Sequence, residues 1–315
     1  MFQVRTDLAL ESKEKFEEDH VEIKGVRVEE EQISSDISIS SVYIETENGA
    51  KSMGKPKGTY ITIEASNMME EDEDYHREIS VQLSHTIRSL IHGPQEIEKM
   101  SVLVVGLGNR EVTPDALGPN VVDNMMITRH IIREYGKYAF GNHNTCMISS
   151  IVPGVMAQTG METSEIISGV IKETAPDLVI VIDALAARSV KRLNRTIQIT
   201  NTGINPGSGV GNHRNAINEE SIGVPVIAIG IPTVVDAATI VTDTMQDLIH
   251  AMGESEQLRS LGYGLNQLNE VEKHELVRDL LSPHLNAMFV TPKDIDEAVK
   301  RLSYTISEGL NMAFS

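Results

Sequence analysis

Apolar runs alternate with amphipathic stretches over most of the chain after residue 100. The runs rich in Val, Ile and Leu predict buried strands, and the stretches between them predict helices. The strands are expected at Val102–Val105, Met147–Val152, Asp177–Ile182 and Pro225–Ile231. The helices are expected near Gly118–Tyr135, Glu162–Glu173 and Asp236–Met252. Strands separated by helices predict an α/β fold whose mixed, mostly parallel sheet is covered by helices on both faces.

The first hundred residues follow a different pattern. Ile37–Ile44 and Thr59–Glu64 approximately alternate apolar and polar residues, which predicts an antiparallel β-hairpin with a long connection. The acidic cluster Glu70–Asp74 favours the start of a helix, and Gly93-Pro94 favours its end. An N-terminal β-hairpin and helix are therefore expected beside the α/β core.

The last sixty residues predict a helical addition with one short strand. A charged helix is expected at Glu270–Leu281, a strand at Met288–Thr291, and a final helix from Pro292. We therefore expect one domain with three parts: an acidic N-terminal α+β layer up to residue 100, an α/β core at 101–252, and the C-terminal addition at 253–315.

Charge and cysteine content exclude several classes of protein. The 315 residues carry a net charge of −19, which argues against direct binding to nucleic acid because a basic face would dominate such binding. Cys146 is the only cysteine, so no intramolecular disulfide is expected and the chain fits a reducing, cytoplasmic compartment. The chain shows neither a signal peptide nor an apolar run of about 18 residues, so we expect no membrane span.

The stretch Ser101–Gly118 contains the most informative loop. Its strand runs into Gly106-Leu107-Gly108-Asn109, which at first indicates a nucleotide-binding turn. The dinucleotide fingerprint needs a third glycine at position 111, where this chain has Glu111. The pattern therefore argues against a dinucleotide site and leaves Asp115, at the mouth of the next helix, to be explained.

Asp115 and Asp183 are the leading candidates for chemistry. Each follows a predicted strand, and the carboxyl ends of parallel strands meet at one edge of a sheet. Two neighbouring carboxylates could divide acid and base roles on a water molecule, or they could bind a divalent metal. The alternative is purely structural, with Asp115 capping a helix and Asp183 closing an Asx-turn. The motif alone leaves these possibilities open.

Glycine-rich loops add weaker candidates. Gly154 and Gly209 lie in loops where glycine allows a substrate to approach the backbone, so their N–H groups could stabilise an oxyanion. His213, in the second of these loops, is a candidate contact to substrate or metal. Cys146 lies in an apolar strand pattern and is interpreted as a core residue rather than a nucleophile.

These loops resemble those of the germination proteases of spore-forming bacteria, and the resemblance extends over nearly the whole chain. The segments that carry it are VVGLGN at 104–109, TPDALGP at 113–119, IVPGVM at 151–156, IDALAARS at 182–189, GSGVGN at 207–212 and GIPTVVDA at 230–237. A more distant resemblance is to hydrogenase-maturation endopeptidases, which have a similar Gly-x-Gly-Asn loop followed by a metal-binding acid.

The resemblance implies an atypical aspartic endopeptidase that degrades small acid-soluble spore proteins during germination. It implies a homotetramer in the forespore or spore core, with no cofactor, and it places the two catalytic aspartates at Asp115 and Asp183. Two alternatives remain: a metal-dependent endopeptidase of the hydrogenase-maturation type, and a non-catalytic module that binds spore proteins.

The resemblance also implies an inactive precursor that removes its own N-terminus. The family processing site is an acidic residue followed by an apolar residue and Ala, and Thr6-Asp7-Leu8-Ala9 matches it. Cleavage is therefore expected between Asp7 and Leu8. This would make residues 1–7 a propeptide and residues 8–315 a single protease domain, with its acidic N-terminal layer at 8–100.

Overall fold

A computed structural model describes residues 24–91, 96–141, 145–187, 189–207, 214–254 and 288–315. Nine strands are found in these residues: β1 Val26–Gln32, β2 Ile37–Ile44, β3 Gly58–Ala65, β4 Ser101–Gly106, β5 Met147–Ile151, β6 Leu178–Ala187, β7 Thr196–Thr200, β8 Val226–Asp236 and β9 Phe289–Val290. The predicted charged helix at Glu270–Leu281 lies outside them.

The same residues contain α-helices of four to twenty residues. They are α1 Glu47–Met53, α2 Glu73–Leu90, α3 Leu117–Asp123, α4 Arg129–Tyr135, α5 Met156–Thr159, α6 Thr163–Thr174, α7 Glu219–Ile222, α8 Ala237–Glu254 and α9 Ile295–Phe314. None of the helices in these ranges is long and apolar enough to cross a membrane.

All nine strands belong to one mixed sheet, which confirms the predicted α/β class. The strand order is β1-β2-β3-β7-β8-β6-β4-β5, with β9 paired to β8. The pairings β8-β6, β6-β4 and β4-β5 are parallel, whereas β1-β2, β2-β3, β3-β7, β7-β8 and β8-β9 are antiparallel. The parallel strands therefore form one half of the sheet, and the N-terminal strands extend the other half.

Side chains on neighbouring positions of β4 pack into two separate cores. Val102 and Val104 join a large cluster that also contains residues of α2, α3 and α9. Leu103 and Val105 join a smaller cluster with Ile167 of α6. Because successive residues of a strand point to opposite faces, this division shows that helices cover both faces of the parallel half.

Local signals explain an N-terminal helix that the alternation pattern misses. The connection between β2 and β3 contains α1, which begins after the cap residue Thr46 and ends at Gly54. The Thr46 side chain accepts a hydrogen bond from the N–H of Gly49, and Gly54 adopts a left-handed conformation with φ 64°. Strand β1 is also additional: apolar residues alternate only at Val26 and Val28, and the rest of the strand is charged or polar.

Several predicted boundaries differ from the structure. Strand β8 runs to Asp236 rather than ending at Ile231, and the last helix begins at Ile295 rather than at Pro292. The single helix expected at Gly118–Tyr135 is divided into α3 and α4, because residues between them turn toward β5, where the buried Thr128 side chain accepts the N–H of Ile148. Strand β6 continues to Ala187 rather than ending at Asp183, because β8 pairs with it as far as Val235. Asp183 therefore lies within a strand, which removes the interpretation that it simply closes an Asx-turn at a strand end.

Candidate active site

The loop after β4 places Asp115 at the carboxyl edge of the sheet. Pairing of β4 with β6 ends at Gly106 opposite Ile182, and one more bond follows, from the N–H of Leu107 to the carbonyl of Ile182 at 2.8 Å. The chain then turns at Gly108, where φ is +112°. A Cβ there would lie 1.9 Å from the Asp115 carbonyl oxygen, so only glycine allows the loop to fold back this closely.

A second close approach fixes the helix that follows Asp115. An added Cβ at Gly118 would lie 2.4 Å from the Leu107 carbonyl oxygen and 2.6 Å from the Ile182 carbonyl oxygen. Helix α3 therefore packs directly on the ends of β4 and β6. Asp115 lies in a 3₁₀ turn just before this helix, with its Oδ2 accepting the N–H of Asn109 at 2.8 Å.

Asp183 reaches the same edge from the middle of β6. Its side chain is 6% exposed, and Oδ1 accepts the N–H of Ala184 at 3.0 Å. On the β8 side its strand partner is Gly230. On the opposite side β4 has already ended, so the Asp183 carboxylate lies where the sheet opens.

Both aspartates line one cleft of about 410 Å³. Its walls come from the loop after β4, the loop after β5, the end of β6, the end of β8 and the segment around β9. The lining residues are Leu107, Gly108, Val112, Pro114, Asp115, Gly154, Val155, Thr163, Asp183–Ala186, Asn205, Pro206, Gly207, Arg214, Thr233, Val234, Phe289 and Thr291. The volume is in the range of ordinary ligand pockets.

The environment of Asp115 favours proton exchange. Burial raises the pKa of its carboxyl above the ordinary value of 3.8, while the Asn109 N–H and the positive charge of Arg214 lower it in part. A carboxyl with a raised pKa holds and releases a proton closer to physiological pH, as a general acid or base must. Arg214 is the cation that the described lining contributes to this balance.

Of the other predicted site residues, Gly154 is the one that lies in the described part of the chain. Gly154 lines the cleft, and its φ of 72° is in the left-handed region that favours glycine. Gly209 and His213 lie outside the described residues, as do Asp7 and Leu8 of the expected processing site. Their placement stays a prediction.

Arg214 and Phe289 are cleft residues that sequence reasoning missed. Arg214 follows a glycine-rich loop, and its only sequence signal is a cation beside that loop. Phe289 lies on a two-residue strand that pairs with the end of β8, more than fifty residues along the chain. No local pattern could have located a contact formed by such a distant segment.

Other candidates for chemistry are weaker. The thiol of Cys146 is buried and donates to the carbonyl of Ile97, and burial raises its pKa to about 11, so it is a protonated core residue. Among the described residues, no group of three or more His, Cys, Asp and Glu side chains could hold a metal ion. In the described part of the cleft, the acidic side chains available to a cation are therefore the two carboxylates of Asp115 and Asp183.

Comparison with known proteins gives consistent matches. The family model for "Germination protease" matches residues 4–260. Germination protease of Caldanaerobacter subterraneus subsp. tengcongensis is 49% identical over 98% of this chain and 94% of its own length. Germination protease of Clostridium perfringens is 44% identical over 99% and 95%, and that of Bacillus velezensis is 39% identical over 99% and 93%.

Similarity to solved structures is at a much lower level. The [NiFe] hydrogenase maturation protease HycI of Thermococcus kodakarensis is 16% identical, with a TM-score of 0.31 and coverage of 71% of this chain and 98% of its own. A TM-score this low carries no argument about fold or chemistry. The family match and the near full-length relatives do, and they agree with the resemblance inferred from the loops. The chain therefore belongs to the germination protease family and is a peptidase.

Proposed function

We propose that this protein is an endopeptidase that begins the degradation of small acid-soluble spore proteins during germination, with Asp115 and Asp183 activating the attacking water. The observation that carries the proposal is the position of both carboxylates on one cleft, in a chain of this family. The cleft opens beyond the parallel strand ends, where α/β proteins commonly bind their ligands.

Peptide hydrolysis needs one group to take a proton from water and another to give a proton to the leaving amine. Two carboxyls can divide these roles when their surroundings separate their proton affinities. At Asp115, burial raises the pKa, whereas one backbone N–H and the charge of Arg214 lower it. Asp183 lies within a strand and accepts a hydrogen bond from the N–H of Ala184. In the proposed mechanism each carboxyl takes one role, and the pH profile of variants assigns them.

The developing oxyanion also needs hydrogen-bond donors. The Gly154 N–H is our first candidate because this residue lines the cleft next to the β5 end. Gly209 is the second, and His213 is kept as a substrate contact. Removal of a single oxyanion donor commonly lowers kcat by about 10²–10³.

We further propose that the chain is made as an inactive precursor and cuts itself between Asp7 and Leu8. Residues 1–7 are then the propeptide of a single protease domain, whose layers are the acidic α+β part at 8–100, the core at 101–252 and the addition at 253–315. We expect the active form to be a homotetramer in the forespore or spore core.

N-terminal sequencing tests the precursor directly. Purified full-length protein is incubated at mildly acidic pH, and its N-terminus is sequenced over time. The proposal requires a new terminus at Leu8, formed by the wild-type chain but not by Asp115→Asn or Asp183→Asn. A new terminus that also forms in both variants would show cleavage by another protease.

A metal-dependent endopeptidase is the alternative, because two carboxylates in a cleft also suit a divalent cation. Prolonged treatment with a strong chelator, followed by assay in metal-free buffer, separates the mechanisms. The carboxylate mechanism predicts activity within about twofold of the untreated enzyme, since no metal-bound water is involved. A large loss that Zn²⁺ or Mn²⁺ restores would favour the metal mechanism.

A further inference from the structure

The end of strand β6 has a strand edge that no described strand covers. β4 pairs with β6 only as far as Ile182, yet β6 continues through Asp183–Ala187. β8 pairs with these last residues on one side. The other side of these residues faces the position that β4 would occupy if it continued, but the chain after β4 turns away at Gly108. Five residues at about 3.3 Å each give an open edge roughly 16 Å long.

Backbone hydrogen bonds show which groups face this gap. The N–H of Val179 bonds toward β8, to the Pro225 carbonyl, whereas the Ile182 carbonyl bonds toward β4, to the N–H of Leu107. Because successive residues of a strand direct their N–H and C=O groups to alternate sides, Ala184 and Ala186 face the same side as Ile182. The extra residue of the β6-β8 irregularity lies on β8, where Thr233 is skipped, so it leaves this alternation of β6 unchanged.

The Ala184 amide supports this assignment. Its N–H donates to Oδ1 of Asp183 at 3.0 Å, in the position where a neighbouring strand would have supplied a carbonyl. The carboxylate of Asp183 therefore lies at the open edge itself. Asp183–Ala186 form one wall of the cleft, and Leu107, Gly108 and Asp115 belong to the loop that lines it from the β4 side.

We propose that the substrate polypeptide binds as an added β-strand along this edge of β6. Its backbone would bond to the carbonyl of Ala184, whose N–H already donates to Asp183 Oδ1, and to the N–H and carbonyl of Ala186. This proposal rests on the proposed function, because it takes a polypeptide substrate as the occupant. An extended chain in this position brings its carbonyl groups past Asp183 on one side and Asp115 on the other. Strand addition uses main-chain hydrogen bonds for affinity and leaves alternate side chains to pockets.

Strand addition predicts that alternate backbone amides of the substrate matter for binding, whereas recognition by side chains alone predicts no such alternation. Only every second residue of an added strand directs its N–H toward β6, whichever direction the strand runs. Methylation of an amide nitrogen on that side removes a donor and places a methyl group against the β6 backbone. Methylation of the next amide does neither, so neighbouring positions of one peptide are matched controls.

The test uses synthetic peptides of sequence VRTDLALE, which is residues 4–11 of this chain, each with one N-methyl group. Binding to the full-length Asp115→Asn protein is measured by fluorescence anisotropy, so the readout does not depend on cleavage. We expect Kd to rise about tenfold or more at alternate central positions and less than twofold at the positions between them. Equal sensitivity at neighbouring positions, or no binding of the unmodified peptide, would overturn the proposal.

A separate arm tests the proposed function. The unmodified peptide is incubated with the wild-type enzyme, and its products are identified by mass spectrometry. Cleavage between Asp and Leu without alternation in binding would keep the peptidase assignment and remove strand addition. Alternation in binding without cleavage would keep strand addition and contradict the assigned processing site.

Discussion

Buried polar groups have different surroundings in the interface between helices α2 and α9 and in the cleft that contains Asp115 and Asp183. In the interface, His76 uses both ring nitrogens, contacting Thr305 Oγ1 at 2.8 Å and the Glu70 carbonyl at 3.1 Å. Ser80 donates to the Thr305 carbonyl at 2.9 Å. In the cleft, Asp115 accepts one backbone N–H, and burial still raises its pKa. The interface satisfies its polar atoms, while the cleft leaves a carboxyl poorly stabilised as an anion.

This difference separates stability from chemistry. A buried polar group with all its hydrogen bonds made contributes to a unique packed structure. A buried carboxyl with few hydrogen bonds has a raised pKa and exchanges protons closer to neutral pH. Substitutions in the interface should therefore lower stability and leave the chemistry intact. Substitutions of the cleft acids should do the reverse.

The largest expected effect is on catalysis. Asp115→Asn and Asp183→Asn should each lower kcat/KM for peptide cleavage by at least about 10³, because an amide cannot exchange a proton as a carboxyl does. Circular dichroism should show an unchanged fold. Asp123→Asn is the matched control, since Asp123 is exposed and pairs with Arg110 outside the cleft. Either cleft variant retaining a tenth of wild-type activity would exclude that aspartate from the mechanism.

The next effect is on stability. Leu83 of α2 is fully buried, and Gly309 of α9 approaches it so closely that an added Cβ would lie 2.9 Å from its Cδ2. Leu83→Ala should lower the free energy of unfolding by about 2–5 kcal/mol, because a cavity remains between two packed helices. Urea denaturation measures the loss, and the activity of the folded fraction should be unchanged.

Leu248→Ala is the control for this substitution. Leu248 is 56% exposed on α8, so its truncation should change the unfolding free energy by less than about 0.5 kcal/mol. Similar losses in the two variants would mean that the α2–α9 interface is not a main source of stability.

A smaller effect tests the electrostatics of the cleft. Arg214 lowers the pKa of Asp115, so Arg214→Gln should raise it and move one limb of the pH–rate profile to higher pH. If the acidic limb moves, Asp115 acts as the base, and the rate at mildly acidic pH should fall a few-fold. If the alkaline limb moves, Asp115 is the acid. Arg133→Gln, on the exposed face of α4, should move neither limb, and a profile identical to wild type in Arg214→Gln would refute the coupling.

The smallest effect is a pH-dependent difference in stability. The Asp115 pKa is higher in the folded protein than the ordinary 3.8 of an unfolded chain. The folded wild type therefore binds the extra proton more tightly and loses stability as pH rises from below 3.8 through the raised folded pKa. Asp115→Asn does not titrate, so its stability relative to wild type should increase as the pH rises through that window. Thermal unfolding at pH 3.5 and pH 7 measures it, and a constant difference would contradict the raised pKa.

Apolar periodicity predicted the strands of the parallel half and the amphipathic helix α2 well, because burial leaves a repeating signal in neighbouring residues. Ile79, Leu83 and Ile87 are all fully buried on the predicted inner face of α2. The same signal could not predict β1, whose charged side chains project from an edge strand. It also ended β6 too early, since the pairing that extends this strand comes from β8, more than forty residues away.

By itself, the sequence determined the class of fold, the loop with Asp115, and the candidate role of Asp183, because strand patterns and glycine turns are local. Tertiary structure alone decided that Arg214 and Phe289 join these acids in one cleft, and that β6 continues past the end of β4 with an edge that no described strand covers. These features depend on contacts between distant segments. Local propensity does not encode such contacts, and the burial that raises the pKa of Asp115 exists only in the folded chain.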